Sequence, residues 1–196
     1  MSCQLPQGSC VYGSPLCWGG VTAVLASEGG RDMSGVPTLH MICGKIAAGK
    51  STLAAQLSTR PKHLLVSEDA WLSALFADEM STGGDYLRCS GKLQKAIGPM
   101  VVDVLGAGVS VVMDYPGNTI AQRAWMRGLA KQAGALHQCH VLNPPDAVCL
   151  ERLQARNASG AHAFSATEEQ FKRFAKHFVL PTPAEDLACV YYDQAL

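Results

Sequence analysis

The stretch Leu39-His40-Met41-Ile42-Cys43-Gly44-Lys45-Ile46-Ala47-Ala48-Gly49-Lys50-Ser51-Thr52-Leu53-Ala54-Ala55-Gln56-Leu57 decides the fold. Its centre, Gly44 to Ser51, fits G-x-x-x-x-G-K-[ST] at every fixed position. The apolar run 39–43 predicts a strand leading in, and 51–57 predicts a helix leading out. Glycines let the backbone curl so that successive N–H groups converge on an anion at a helix N-terminus. Residues Gly44, Lys45, Ile46, Ala47, Ala48, Gly49, Lys50, Ser51 and Thr52 are therefore the expected cradle for a nucleoside triphosphate. Lys50 puts a point charge on the outer phosphates, and the Ser51 hydroxyl suits a Mg²⁺ ligand. A glycine-rich turn that binds nothing is the plain alternative, and both flanks argue against it. The pattern assigns no role to Lys45.

Working outward, short apolar runs at 38–43, 63–67, 109–114, 136–142 and 188–192 predict strands. Longer segments at 50–59, 69–79, 86–106, 119–133, 145–156 and 167–177 predict helices. This alternation predicts an α/β fold with a mainly parallel sheet covered on both faces. Ligands of such sheets bind beyond the carboxyl ends of the strands. Residues 1–37 differ: they are rich in Gly, Ser, Pro and Cys and read as a poorly ordered N-terminal extension to a domain spanning 38–196. Met33-Ser34-Gly35 offers a natural start for that domain, so 1–32 reads as an upstream extension or a start-site artefact.

Composition narrows the function classes. Sixteen basic and sixteen acidic side chains cancel, so no broad positive field favours non-specific nucleic-acid binding, although a local patch stays open. No apolar run approaches the roughly 20 residues needed to cross a bilayer, and no leader pattern is present. A cytoplasmic protein with no membrane partner is expected. Of the eight cysteines, Cys43, Cys139, Cys149 and Cys189 lie in apolar or helical segments and read as buried free thiols. Cys3, Cys10 and Cys17 lack the close spacing of a zinc site. His137 and His140, three apart on a strand, point to opposite faces and do not read as a shared metal site.

Two more strand ends carry acids. The second strand runs into Ser67-Glu68-Asp69-Ala70-Trp71, where a carboxylate can accept the proton of an attacking hydroxyl or hold Mg²⁺ through water. Asp69 is the candidate for that role; Ser67 or Asp69 could equally cap the helix that follows. The third strand ends in Asp114, placed to contact the magnesium shell. Tyr115-Pro116-Gly117-Asn118-Thr119 follows instead of a water-activating Glu, which favours transfer to a substrate over hydrolysis. Asn118 is either a substrate contact or a helix cap.

After the fourth strand, Pro144-Pro145 suits a turn into a helix with Asp146 in its first turn. Arg152 and Arg156 lie four apart on one face, able to clamp a transferring phosphoryl group or to form a solvated surface with Glu151. The breaker 157–161 follows, so a lid over about 150–166 is expected. Arg88 and Lys92, and Arg123 and Arg127, are also four apart; they could reach an anionic substrate but fit surface charges better. Trp71 and Trp125 fit core packing, with Trp71 a candidate wall of an acceptor pocket.

Together these residues resemble the small P-loop kinase group that includes the 5′-kinase domain of polynucleotide kinase, chloramphenicol phosphotransferase and zeta-toxin-like kinases, chains often called AAA-type ATPases. The resemblance covers about 38–187. It implies a three-layer P-loop NTPase fold with a five-stranded parallel sheet in the order 2-3-1-4-5 and a small lid. It also implies ATP and Mg²⁺ as ligands and phosphoryl transfer to a hydroxyl. By position Asp69 matches the group's catalytic Asp, Arg152 and Arg156 its lid arginines, and 114–118 its third-strand segment. The Arg that polynucleotide kinases carry shortly after the Asp is replaced here by Leu72 or Ser73, and the histidine-proline signature of zeta toxins is missing.

An ATP-dependent kinase acting on a small-molecule hydroxyl, a metabolite or an antibiotic, is the expectation. Lys50, Asp69, Arg152 and Arg156 would be catalytic, Ser51 and Asp114 would hold Mg²⁺, and Asp69, Trp71, Arg88 and Asn118 would meet the acceptor. The alternatives are a polynucleotide or nucleotide-sugar kinase of the zeta-toxin type, a partner-regulated ATPase or switch, and a degenerate kinase that binds nucleotide without chemistry. The acceptor and the oligomeric state are not legible in the sequence.

Overall fold

Five parallel strands form the central layer in the order β2-β3-β1-β4-β5: β1 (Thr38–Gly44), β2 (His63–Ser67), β3 (Ser110–Pro116), β4 (Leu136–Leu142) and β5 (Cys189–Tyr192). The computed structural model describes residues 35–159 and 166–192, all within one unit, Met33–Leu196. The expectations for 1–34, including the cysteine spacing there, and for the loop 160–165 lie outside the described residues. Among the described residues six α-helices connect and cover the strands: α1 (Lys50–Ser58), α2 (Glu68–Phe76), α3 (Gly83–Gly106), α4 (Ile120–Gln132), α5 (Asp146–Ser159) and α6 (Glu168–Ala175). The predicted sheet order is the one observed.

β1 is central and buried on both faces: six of its seven residues are buried, as a parallel strand covered by helices on both sides requires. Its side chains alternate between two cores. Leu39, Met41 and Cys43 join a core that includes Leu93, Ile97 and Val101 of α3 and Met126 and Leu129 of α4. Ile42 joins the other, with Leu53 and Leu57 of α1, Cys149 and Leu153 of α5 and Phe171 of α6. α3 shows why sequence produces this packing: Cys89, Leu93, Ile97, Val101 and Leu105 recur every four residues and are all buried. Each large apolar side chain so buried contributes about 1.5–3 kcal/mol. The helices start where capping boxes occur, at Thr82/Asp85, Thr119/Gln122 and Thr167/Gln170, each worth about 1 kcal/mol.

One register shift shapes the functional end of the sheet. β1 pairs with β3 from Leu39↔Val111 to Met41↔Met113, and then Ile42 meets Pro116. The Gly117 N–H donates to the Ile42 carbonyl at 3.0 Å. A Cβ on Gly117 would lie 2.7 Å from that oxygen, so only glycine permits this approach. The shift brings the β3–α4 turn against the phosphate loop.

Arg123 departs from its expected place on the surface. It is fully buried and gives two hydrogen bonds to Glu185, at 2.7 and 2.9 Å. It also donates to the carbonyls of Gly117 at 3.0 Å and Val179 at 2.8 Å. Satisfying nearly every donor is what makes a buried guanidinium tolerable. The effect is to staple the segment before β5 to the β3–α4 turn. Arg127 stays half-exposed and pairs with Asp186. Cys43, Cys89, Cys139 and Cys149 are buried free thiols, and burial pushes the Cys43 thiol up to about 11.

Candidate functional site

The phosphate loop leaves β1 at Gly44 and closes at Gly49, which caps α1 in the left-handed conformation with φ 101°. Ala47 shares that region with φ 58°. A Cβ at Gly44 would sit 2.8 Å from the Leu142 carbonyl oxygen, so this glycine is set by the approach of β4. The Gly44 N–H donates to the Asn118 Oδ1 at 2.9 Å. Asn118 therefore ties the third strand's turn to the start of the loop while bordering the cleft beside it.

Beyond the strand ends lies a cleft of about 990 Å³. The loop contributes Ile46, Ala47, Gly49, Lys50, Ser51 and Thr52; β2–α2 contributes Glu68 and Asp69; β3 contributes Asp114 and Tyr115; α5 contributes Arg152 and Arg156. Ser67 and Asp114 are paired in the β2–β3 register, which brings the two acid-bearing strand ends side by side. Ser51 Oγ donates to Asp114 Oδ1 at 3.3 Å, so two hard oxygen donors converge as a Mg²⁺ ion prefers. The Lys50 ammonium donates to the carbonyls of Gly44 and Lys45, both at 2.9 Å. Burial lowers its pKa while the charges of Asp114 and Asp69 oppose that shift. Burial also lowers Arg156, against the opposing charge of Asp69. Its Nε is buried with no hydrogen-bond partner among the described residues. Asp69, Asp114, Lys50 and Arg156 thus form one electrostatically coupled group.

Other predicted residues fall elsewhere. Arg88 is half-exposed, with Nη1 donating to Asp85 at 2.5 Å and Nη2 to the Glu79 carbonyl at 3.2 Å, and Trp71 is 39% exposed on α2. Neither borders the cleft. Lys45 pairs with Asp146 in the first turn of α5 and lies 5.8 Å from the Phe178 ring centroid, linking the loop to the helix that carries both arginines. α5 runs to Ser159, three residues past its predicted end, because the 157–159 stretch continues the helix before Gly160.

Sequence reading sets Glu68 beside Asp69 at this strand end without giving it a role of its own, and it misses Tyr86 and Tyr115. Glu68 is 2% exposed at the cleft wall, where its carboxylate accepts from the Tyr86 hydroxyl at 2.8 Å and from Ser90 Oγ at 2.5 Å. Burial pushes its pKa up, against those two hydrogen bonds. Tyr115, equally buried, has a hydroxyl with no hydrogen-bond partner among the described residues. Tyr86 and Tyr115 stand in segments without a motif; only their place one turn from α3's start or directly after Asp114 hinted at the site.

A left-handed glycine cap, an inward lysine, a Ser–Asp oxygen pair and two arginines on a covering helix, at the carboxyl edge of a 2-3-1-4-5 sheet, define a P-loop kinase-like protein. The chain belongs to the AAA_33 family, described as an AAA domain, whose profile matches residues 39–181. No curated protein matches it. Among solved structures it is similar to a candidate kinase from Chloroflexus aurantiacus, with 21% identity, TM-score 0.65, and 80% of this chain and 88% of that one covered. Chaetomium thermophilum Kti12, solved with ADP-AlF3, is similar at 16% identity and TM-score 0.59, with 80% and 90% covered. The Mycobacterium tuberculosis APS kinase CysC, solved with AMPPNP and APS, is similar at 16% identity and TM-score 0.53, with 81% and 90% covered. At these identities the likeness is one of fold.

Proposed function

We propose that the protein is an ATP-dependent phosphotransferase that moves the γ-phosphoryl group of ATP to a hydroxyl of a small molecule. The observation that carries this reading is the meeting of Lys50, Ser51, Asp69, Asp114, Arg152 and Arg156 at one cleft. Phosphoryl transfer needs little covalent help from a protein; it needs in-line positioning and compensation of charge on the transferring group. The loop amides and Lys50 hold the outer phosphates, and Arg152 and Arg156 neutralise charge on the equatorial oxygens. Ser51 and Asp114 fit Mg²⁺, which when bound neutralises charge across the β- and γ-phosphates. Asp69 orients the acceptor hydroxyl and takes its proton.

The nucleotides bound in Kti12 and CysC support the donor half of this reading, and the zero net charge favours a small acceptor over a polynucleotide. Among the described residues no helix is long and apolar enough to cross a membrane, and we assign the protein to the cytoplasm. Incubation with γ-labelled ATP, Mg²⁺ and a library of hydroxyl compounds, with products resolved by mass, tests the reading. A phosphorylated product supports it. Free phosphate alone points to an ATPase or partner-regulated switch, and neither product points to a nucleotide-binding protein without chemistry.

A further inference from the structure

The cleft is divided by charge. Its basic side chains, Lys50, Arg152, Arg156 and His177, come from the phosphate loop, α5 and the turn after α6. The residues contributed by α2, α3 and the β3–α4 segment include Glu68, Asp69 and Asp114 and no basic group. The cations nearest to that side in sequence, Arg88 and Lys92, are engaged by Asp85 and Glu79.

Two groups on this wall are incompletely served by the protein. Glu68 is buried, and among the described residues no cation forms an ion pair with it. Its two hydroxyl partners occupy two of about four lone-pair directions. Burial disfavours the charged form of this carboxylate, and a positive partner supplied by a ligand would offset that cost. Tyr115 is 2% exposed and borders the same cleft. Its hydroxyl has no hydrogen-bond partner among the described residues, and buried hydroxyls are rarely left so. An anionic acceptor would crowd the Glu68 carboxylate, and a neutral one would leave it without a counter-charge.

We propose that the acceptor is a small hydroxyl compound bearing a protonated amine, with the ammonium held by Glu68 and an adjacent polar group held by the Tyr115 hydroxyl. This rests on the phosphotransferase reading. In the transfer, the acceptor oxygen forms a bond to the γ-phosphorus and the bond from that phosphorus to the β–γ bridging oxygen breaks. ADP leaves with the electron pair, and the hydroxyl proton passes to Asp69. Glu68 touches the substrate away from the reacting atoms and sets specificity.

The test uses the full chain with Mg²⁺·ATP and hydroxyl compounds in matched sets: an amino alcohol or amino sugar, its N-acetylated form, the plain alcohol and the carboxylate. Products are read by mass, and binding to the protein loaded with a non-hydrolysable ATP analogue is read by calorimetry. The expected result is kcat/KM at least tenfold higher for the amine than for its N-acetylated form, no transfer to the carboxylate, and loss of that preference in Glu68→Gln through KM, with the KM for ATP unchanged. Tyr115→Phe should raise the amine's KM several-fold without moving the melting temperature. This variant also covers the case in which Glu68→Gln fails to fold. Transfer that prefers neutral or anionic acceptors, or an amine preference that survives Glu68→Gln, overturns the inference and leaves the kinase reading standing. So does a Glu68→Gln variant that changes only the Mg²⁺ requirement. Glu68-dependent amine binding without transfer keeps the inference and removes the kinase reading. Neither transfer nor Glu68-dependent amine binding overturns both.

Discussion

Two regions of the molecule carry polar side chains in opposite states. At the cleft beyond the carboxyl end of the sheet, the Tyr115 hydroxyl and the Arg156 Nε have no hydrogen-bond partner among the described residues. Four residues before Gly44 on β1, His40 begins a chain in which polar groups satisfy one another. His40 Nδ1 lies 3.0 Å from His140 Nε2, and His140 Nδ1 lies 2.8 Å from the Tyr192 hydroxyl. One neutral arrangement serves every contact: Tyr192 O–H donates to His140 Nδ1, and His140 Nε2–H donates to His40 Nδ1. The His63 ring lies 5.4 Å from that of His40. Two histidines and a phenol do not make a metal site, and no group of three or more His, Cys, Asp or Glu able to hold a metal occurs among the described residues. Polar groups that are closed on themselves brace the fold; those left open border the cleft. That contrast separates the site from its support.

The largest effect should come from the open end. Asp69→Asn is expected to lower transfer about 10²–10⁴-fold with ATP affinity nearly intact, measured by single-turnover kinetics and nucleotide titration. If the variant loses ATP binding instead, Asp69 belongs to the donor site and the assignment of the base fails. Next comes the closed support at Arg123. Arg123→Met leaves Glu185 without its cation and the carbonyls of Gly117 and Val179 without a donor. A loss of about 3–5 kcal/mol is expected, read by urea unfolding, with activity falling because the turn that holds Asn118 loosens. An unfolding free energy within 1 kcal/mol of the parent would show that the staple is dispensable.

The histidine chain gives a pH dependence of intermediate size. Burial, reinforced by the charges of His140, His63 and Arg60, lowers His40 to about 3, and burial with Arg60 lowers His140 to about 4. Both lie below the unfolded value of about 6.5. Between about pH 4 and 6.5 the unfolded chain binds more protons than the folded one, so stability is complete above pH 6.5 and declines as pH falls. The expected slope is about 1.4 kcal/mol per pH unit for each histidine that titrates. Chemical denaturation across pH 4–8 should show it, and His140→Phe should flatten it; a parent protein equally stable at pH 4.5 and 7 contradicts the chain as drawn. The smallest effect belongs to the Lys45–Asp146 pair between the phosphate loop and α5, whose Asp146 end is exposed. Lys45→Ala should cost under about 1 kcal/mol and change the transfer rate only a few-fold. A hundredfold loss would move Lys45 from linker to participant.

Legibility in the sequence followed the range of the interaction. Strand and helix positions emerged because periodicity is local, and α3 extended to Gly83 because Thr82 and Asp85 close a capping box three residues apart. The loop residues, Asp69, Asp114 and the two arginines were readable because each sits at a strand end or on a helix face whose spacing is short. Arg123 was not, since Glu185 stands 62 positions away and an arginine on an amphipathic helix ordinarily faces water. Nor was the His40–His140 contact, made across 100 residues by neighbouring strands whose adjacency periodicity cannot specify. Arg88 was drawn to its own neighbours Asp85 and Glu79, an outcome that spacing alone does not separate from a substrate contact.

By itself, then, the sequence determined the phosphate loop, the alternation of strands and helices and the acids at two strand ends, because backbone geometry, side-chain period and glycine freedom act over a few residues. Only the tertiary structure decided which polar groups are paired and which stay open. Glu68 meets Tyr86 and Ser90, Tyr115 keeps an unpaired hydroxyl, and Arg123 disappears into the core. Those outcomes depend on desolvation and on neighbours brought together by folding, and neither is written in any one segment of the chain.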